Sequence, residues 1–209
     1  MRRITVVTVG LALLVSACAQ VTSRDDATRE TAPTVHNQAV TFDQHAVDLN
    51  LDNLCGPVDD TRTVTHPSLG RATVGLRRPA STVGNGCVAA VGPGGQKLLV
   101  QEIYVHDGQL RFANPAQDAT QNVFVIYNPG RYNGVMTLVP TATGYADIGW
   151  GAESPAYRTT THAYYWVELL GPGGDGRYTI KMYDNNCEPD CAGGTVTTKI
   201  LRWNGQRYV

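Results

Sequence analysis

The stretch QNVFVIYNPGRYNGVMTL, Gln121 to Leu138, carries two short apolar runs around a turn. Val123, Val125 and Tyr127 alternate, so one face of an extended segment is apolar. Asn128-Pro129-Gly130 then supplies turn chemistry, and GVMTL resumes the apolar pattern. The reading is a β-hairpin. Working outward, the same grammar recurs. RATVGLR alternates Ala72, Val74 and Leu76, and GCVAAV follows it. KLLVQEIYVHDGQLRF is split by Asp107-Gly108, a pair that favours a type I′ turn and predicts a hairpin over 101–113. HAYYWVELL and RYTIKMY form a further pair, and TVTTKILRWNGQRYV closes the chain with a turn at Asn204-Gly205. The strings GPGGQK and GPGGDG precede strands rather than helices, so they read as hairpin loops and not as phosphate cradles.

About eight or nine strands are therefore expected, paired mostly with their neighbours. The predicted fold is mainly β, with a β-rich α+β variant open, in a single antiparallel sheet system stapled by disulfides. A sandwich and a strongly curled sheet both fit. The 22 Gly and 11 Pro, against 17% charged residues, agree with a turn-rich β chain. A short helix near 42–49 is suggested by the capping-box spacing of Thr41 and Gln44.

The first residues, MRRITVVTVGLALLVSACAQ, follow a different logic. Arg2 and Arg3 precede an apolar segment, Ile4 to Val15, shorter than the roughly 20 residues a membrane span needs. This is the layout of a secretory signal. Val15, Ser16 and Ala17 lead directly into Cys18, an arrangement like a bacterial lipobox rather than an ordinary signal with a chance cysteine. The expected organisation is a signal peptide over 1–17, a lipidated Cys18 with a polar tether over 18–39, and one β-rich domain over 40–209. Acylation of Cys18 with two or three chains would hold the protein to the cell membrane on its extracytoplasmic face. The tether would reach roughly 25 Å as a random coil. Without the signal, the formal charge moves from −1 to −3, which argues against nucleic acid as a partner.

The remaining cysteines, Cys55, Cys87, Cys187 and Cys191, are even in number in an exported, oxidising setting. Three pairings are possible, and the local one, Cys55–Cys87 with Cys187–Cys191, is expected. In DNNCEPDCAGG, a redox pair and a zinc half-site are the competing readings of Cys187 and Cys191. A calcium site using Asp184, Glu188 and Asp190 matches no standard loop spacing.

Catalytic signals are sparse. After the signal, Ser23, Ser68, Ser81 and Ser154 lie in neither G-x-S-x-G nor S-x-x-K. Around Cys87 the sequence VGNGCVAA loosely parallels the S-H-G-C-x-R setting of L,D-transpeptidases. Asn85 and Ala89 replace the histidine and arginine that would activate the thiol. His36, His45, His66, His106 and His162 show no zinc-binding spacing. No enzyme activity, cofactor or metal is expected. The segment from Val139 to Thr161 breaks the strand pattern and places Tyr145, Trp150 and Tyr157 among small residues. It reads as a possible binding loop, or as rings folded over an open end of the sheet.

LCGP opening the domain, GNGCVAAV, NVFVIYNPGRYNG and GTVTTKILRWNGQRYV, together with the lipobox and tether, resemble the LppP/LprE family of actinobacterial lipoproteins. The resemblance spans about Cys55 to Val209. The chain departs from that pattern over 139–161 and near 101–113. The resemblance implies a lipid-anchored surface lipoprotein of unassigned molecular function, with no catalytic residues to carry over. The functional expectation is a non-enzymatic module that binds an envelope protein, glycan or lipid. A lipid or glycolipid carrier is the alternative, and a hydrolase with paired carboxylates stands behind it.

Overall fold

The computed structural model describes residues 41–130, 133–149 and 164–209. Among the described residues one short helix and eleven strands follow one another, and every strand pairing is antiparallel. Helix α1 runs Gln44–Cys55. The capping residue is Asp43, whose carboxylate accepts from the Ala46 amide at 3.1 Å. This displaces the expected Thr41/Gln44 box by two residues. Gly56, at φ 74°, ends the helix. Val47, Leu51 and Cys55 recur every four residues and form its buried stripe.

The first sheet is a meander of β1 (Asp60–His66), β2 (Gly70–Arg77), β3 (Gly84–Val91) and β4 (Lys97–Val105). Alternation predicts that Ala72, Val74 and Leu76 point one way, and they enter one core. Thr73 and Gly75 on the other face are also buried, and α1 approaches that face at Gly75. A Cβ on Gly75 would stand 3.2 Å from Leu51, so glycine lets the helix approach. The Cys55–Cys87 disulfide joins the end of α1 to β3, with Cα atoms 5.6 Å apart.

The second sheet holds β5 (Leu110–Gln117), β6 (Val123–Tyr127), β7 (Gly134–Pro140) and β8 (Tyr145–Asp147). The β6–β7 hairpin is the one read from Gln121–Leu138, with Val125 opposite Met136. The hairpin expected over 101–113 does not form. Asp107 and Gly108 do adopt positive φ, 56° and 63°, as the dipeptide predicts. The turn instead carries the chain from one sheet to the next. The His106 amide bonds to Asn128 O and the Gly108 amide to Thr82 O, so β4 and β5 diverge. Local turn chemistry was legible; the partner strand was not.

The third sheet, in order β11-β10-β9, contains β9 (Tyr164–Leu170), β10 (Thr179–Asn185) and β11 (Val196–Leu201). A terminal turn at Asn204-Gly205 returns the chain so that Trp203 bridges to Tyr208. The two glycine-rich loops share one hydrogen-bond scheme. Gly92 donates to Gln96 O and Gly95 to Gly92 O; likewise Gly173 donates to Arg177 O and Gly176 to Gly173 O. Gly95 and Gly176 take the left-handed position, at φ 79° and 72°.

These pieces stack as four layers: α1, first sheet, second sheet, third sheet. Val74, Leu76, Val88, Val105, Leu110 and Val125 fill the space between the first two sheets, each fully buried. Phe124 and Val135, on the other face of the second sheet, pack with Ile180, Met182, Leu201 and Tyr208 of the third layer. Two glutamines sew the sides of the first pair of sheets. Gln117 bonds both the N–H and the C=O of Thr65, at 2.9 and 2.8 Å, and Gln101 donates to Asp147 at 3.0 Å. Among the described residues the architecture is the expected mainly β one, with three antiparallel sheets built of hairpins, one short helix and two disulfides.

Candidate functional site

One face of the third sheet packs into the core. Val167, Ile180, Met182 and Leu201 point inward, so alternation sends Trp166, Glu168, Lys181 and Tyr183 outward. Register sets Trp166 opposite Tyr183 and Glu168 opposite Lys181. The two rings stack nearly parallel, with centroids 4.8 Å apart and 6° between planes. The Lys181 ammonium stands 4.7 Å from the Tyr183 ring centre, and the Tyr183 hydroxyl donates to Glu168 at 2.9 Å. Hydrogen bonding to Tyr183, reinforced by the Glu168 carboxylate, holds Lys181 above the usual lysine range. The cluster is thus a fixed aromatic and charged platform.

Beside it runs a groove of about 400 Å³, where β9 meets the second sheet. Arg111, Ile126 and Val135 form one cross-strand row of its wall. Trp166, Glu168 and Leu169 supply the opposite wall. The Val167 amide donates to Asn133 O at 3.1 Å and anchors the edge of β9. The floor is apolar, while a cation and an anion stand at the rim. Such a groove suits binding by burial of apolar surface with orientation from the rim charges.

The expected site residues distribute differently. Cys18, Trp150 and Tyr157 lie outside the described residues. Tyr145 is not a surface aromatic: it is 6% exposed on β8 and meets His66 edge-on, with centroids 5.0 Å apart. Burial pushes its hydroxyl up to about 12. Cys55 pairs with Cys87 and Cys187 with Cys191, as expected, the latter with Cα atoms 3.8 Å apart. In CEPDC, Asp190 accepts from the amides of Ala192 and Gly193 at 2.9 and 2.8 Å. That carboxylate oxygen serves the loop. Among the described residues, no three His, Cys, Asp or Glu side chains gather as a metal site.

Sequence reasoning missed Arg111 and the Trp166 platform. The alternation within YYWVELL marks Trp166 and Glu168 as sharing a face, yet nothing local says that this face turns away from the core.

Two disulfides mark an oxidising, extracytoplasmic setting. No helix among the described residues is long and apolar enough to cross a membrane. No protein-family model, curated protein or solved structure matches the chain.

Proposed function

We propose that this chain is a lipid-anchored cell-envelope lipoprotein of LppP/LprE type that binds an envelope component without catalysing a reaction. The observation that carries the binding role is the groove between Arg111 and Glu168, with Ile126, Val135 and Leu169 as its apolar lining. The anchor rests on the lipobox-like LLVSAC and the polar segment after it. The non-enzymatic reading rests on the sequence, whose serines lack catalytic motifs, and on Cys87, whose sulfur is committed to Cys55. The carrier alternative calls for a large closed apolar cavity. The space between the first two sheets is instead packed with side chains.

The test is native mass spectrometry of the full-length protein purified from its own host. A bound partner that is retained by the wild type and lost in Arg111→Glu supports the reading. A co-purifying lipid, removed by organic extraction and retained in Arg111→Glu, would replace the binding module with the carrier.

A further inference from the structure

A second groove, of about 350 Å³, lies at the opposite end of β10, between the GPGGDG loop and the terminal hairpin. Its lining includes Asp175, Arg177, Thr179, Arg202 and Trp203. The two arginines come from different hairpins, and the fold pins the backbone of each. The Arg177 amide donates to Asp175 Oδ1 at 3.1 Å, and the Arg177 carbonyl accepts from Gly173 at 3.0 Å. Arg202 exchanges two backbone hydrogen bonds with Val209, at 2.9 and 3.0 Å. Their guanidinium groups, in contrast, form no ion pair among the described residues. Trp203, which forms one wall, is half-buried and braced by Tyr208, with ring centroids 5.4 Å apart. Tyr208 is itself buried, and its hydroxyl donates to Tyr178 O at 3.3 Å. The groove therefore presents two exposed arginines, one carboxylate at Asp175 and a braced indole.

From this arrangement we infer that the Arg177–Arg202 groove is a binding site for a phosphate monoester. One guanidinium fork already satisfies both oxygens of a carboxylate, whereas two forks suit the three oxygens of a phosphate. A phosphate monoester also carries about −1.5 to −2 charge near neutral pH, and two arginines with one carboxylate leave the lining net positive toward it. Asp175 lies in the same lining, and the turn holds its Oδ1 on the Arg177 amide. Trp203 offers an apolar surface to the group that carries the phosphate. The site is independent of the Arg111 groove and does not rest on the function proposed for it.

Isothermal titration of the full-length protein with phenyl phosphate tests this. Saturable one-to-one binding is expected, with affinity reduced about tenfold or more in Arg177→Ala and in Arg202→Ala. Arg207→Ala is the control, since Arg207 is exposed on the same terminal hairpin outside the groove lining. Thermal unfolding by circular dichroism verifies that each variant folds. Co-sedimentation with phosphatidic acid vesicles, against pure phosphatidylcholine vesicles, separates the sources of the phosphate. Vesicle binding lost in Arg177→Ala and Arg202→Ala assigns the site to a lipid headgroup. Phenyl phosphate binding without that loss assigns it to a soluble ester. Absence of saturable phenyl phosphate binding, or equal weakening by Arg207→Ala, overturns the inference.

Discussion

The carboxylate of Asp118, at the end of the second sheet's first strand, accepts the Tyr178 amide at 2.9 Å, sixty positions along the chain. Its other oxygen accepts from the Thr120 amide at 2.9 Å and from the Thr120 hydroxyl. The Tyr178 hydroxyl returns to Pro115 O at 2.7 Å, and Ala119 N reaches Gly176 O at 2.9 Å. These bonds join the second sheet to the hairpin that opens β10. They hold the third layer in place.

Replacing Asp118 with Ala strands the Tyr178 amide, which belongs to a residue only 3% exposed. An orphaned buried donor costs about 1–3 kcal/mol, more when its partner was charged, so a loss of about 3 kcal/mol is expected. Urea unfolding measures it. Asp118→Asn, which keeps acceptor oxygen, should lose less than half as much.

The two disulfides should differ in their contributions. Cys55–Cys87 closes a sequence separation of 32 and Cys187–Cys191 one of 4. Chain entropy then assigns them about 3.7 and 2 kcal/mol respectively. Paired Cys→Ala variants should lower the unfolding temperature in that order. Peptide mapping of the non-reduced protein should recover both local links.

The buried Tyr145 hydroxyl has no hydrogen-bond partner among the described residues. Tyr145→Phe should therefore keep or raise stability, by up to about 1 kcal/mol. Titration makes a second check. Burial raises the hydroxyls of Tyr145, to about 12, and of Tyr208, and also Tyr178, where Asp118 adds to the effect. With the folded values above the unfolded one, stability is fully present below about pH 10 and falls as pH rises beyond it. Absorbance of ionised tyrosine at alkaline pH should include a late component that appears together with unfolding.

His66, 1% exposed, has a tautomer fixed by its neighbours. Nδ1 accepts from the Ser68 and Leu69 amides at 3.2 and 3.1 Å, so Nε2 carries the proton and donates to Gly144 O at 2.9 Å. Long-range nitrogen NMR should report the Nε2–H form. The same contact constrains Gly144, where an added Cβ would strike the Leu98 carbonyl. Gly144→Ala should cost about 2 kcal/mol in chemical denaturation.

Strand segments and turn positions were legible because they follow from side-chain alternation and from residues that tolerate particular dihedrals. Asn128-Pro129-Gly130 marked the β6–β7 hairpin, and Asp107-Gly108 marked a true left-handed turn. The pairing of the four cysteines followed from compartment and proximity along the chain. What alternation leaves open is what covers each face. Gly75 is buried because Leu51, from a helix more than fifteen residues earlier, lies over it. Tyr145 is buried because His66, from another sheet, meets its ring.

The same distinction holds at the candidate sites. The sequence by itself marked most of the strands and the turn chemistry, since each depends on neighbours within a few residues, but it missed β1 and β8. Only the tertiary structure decided that β4 and β5 separate into different sheets, and that Trp166 and Tyr183 stack on the face of the third sheet away from its core. It alone brought Arg111 to Glu168, and Arg177 to Arg202. These meetings depend on layer order and long-range register, which are set by the packing of whole faces and leave no local mark.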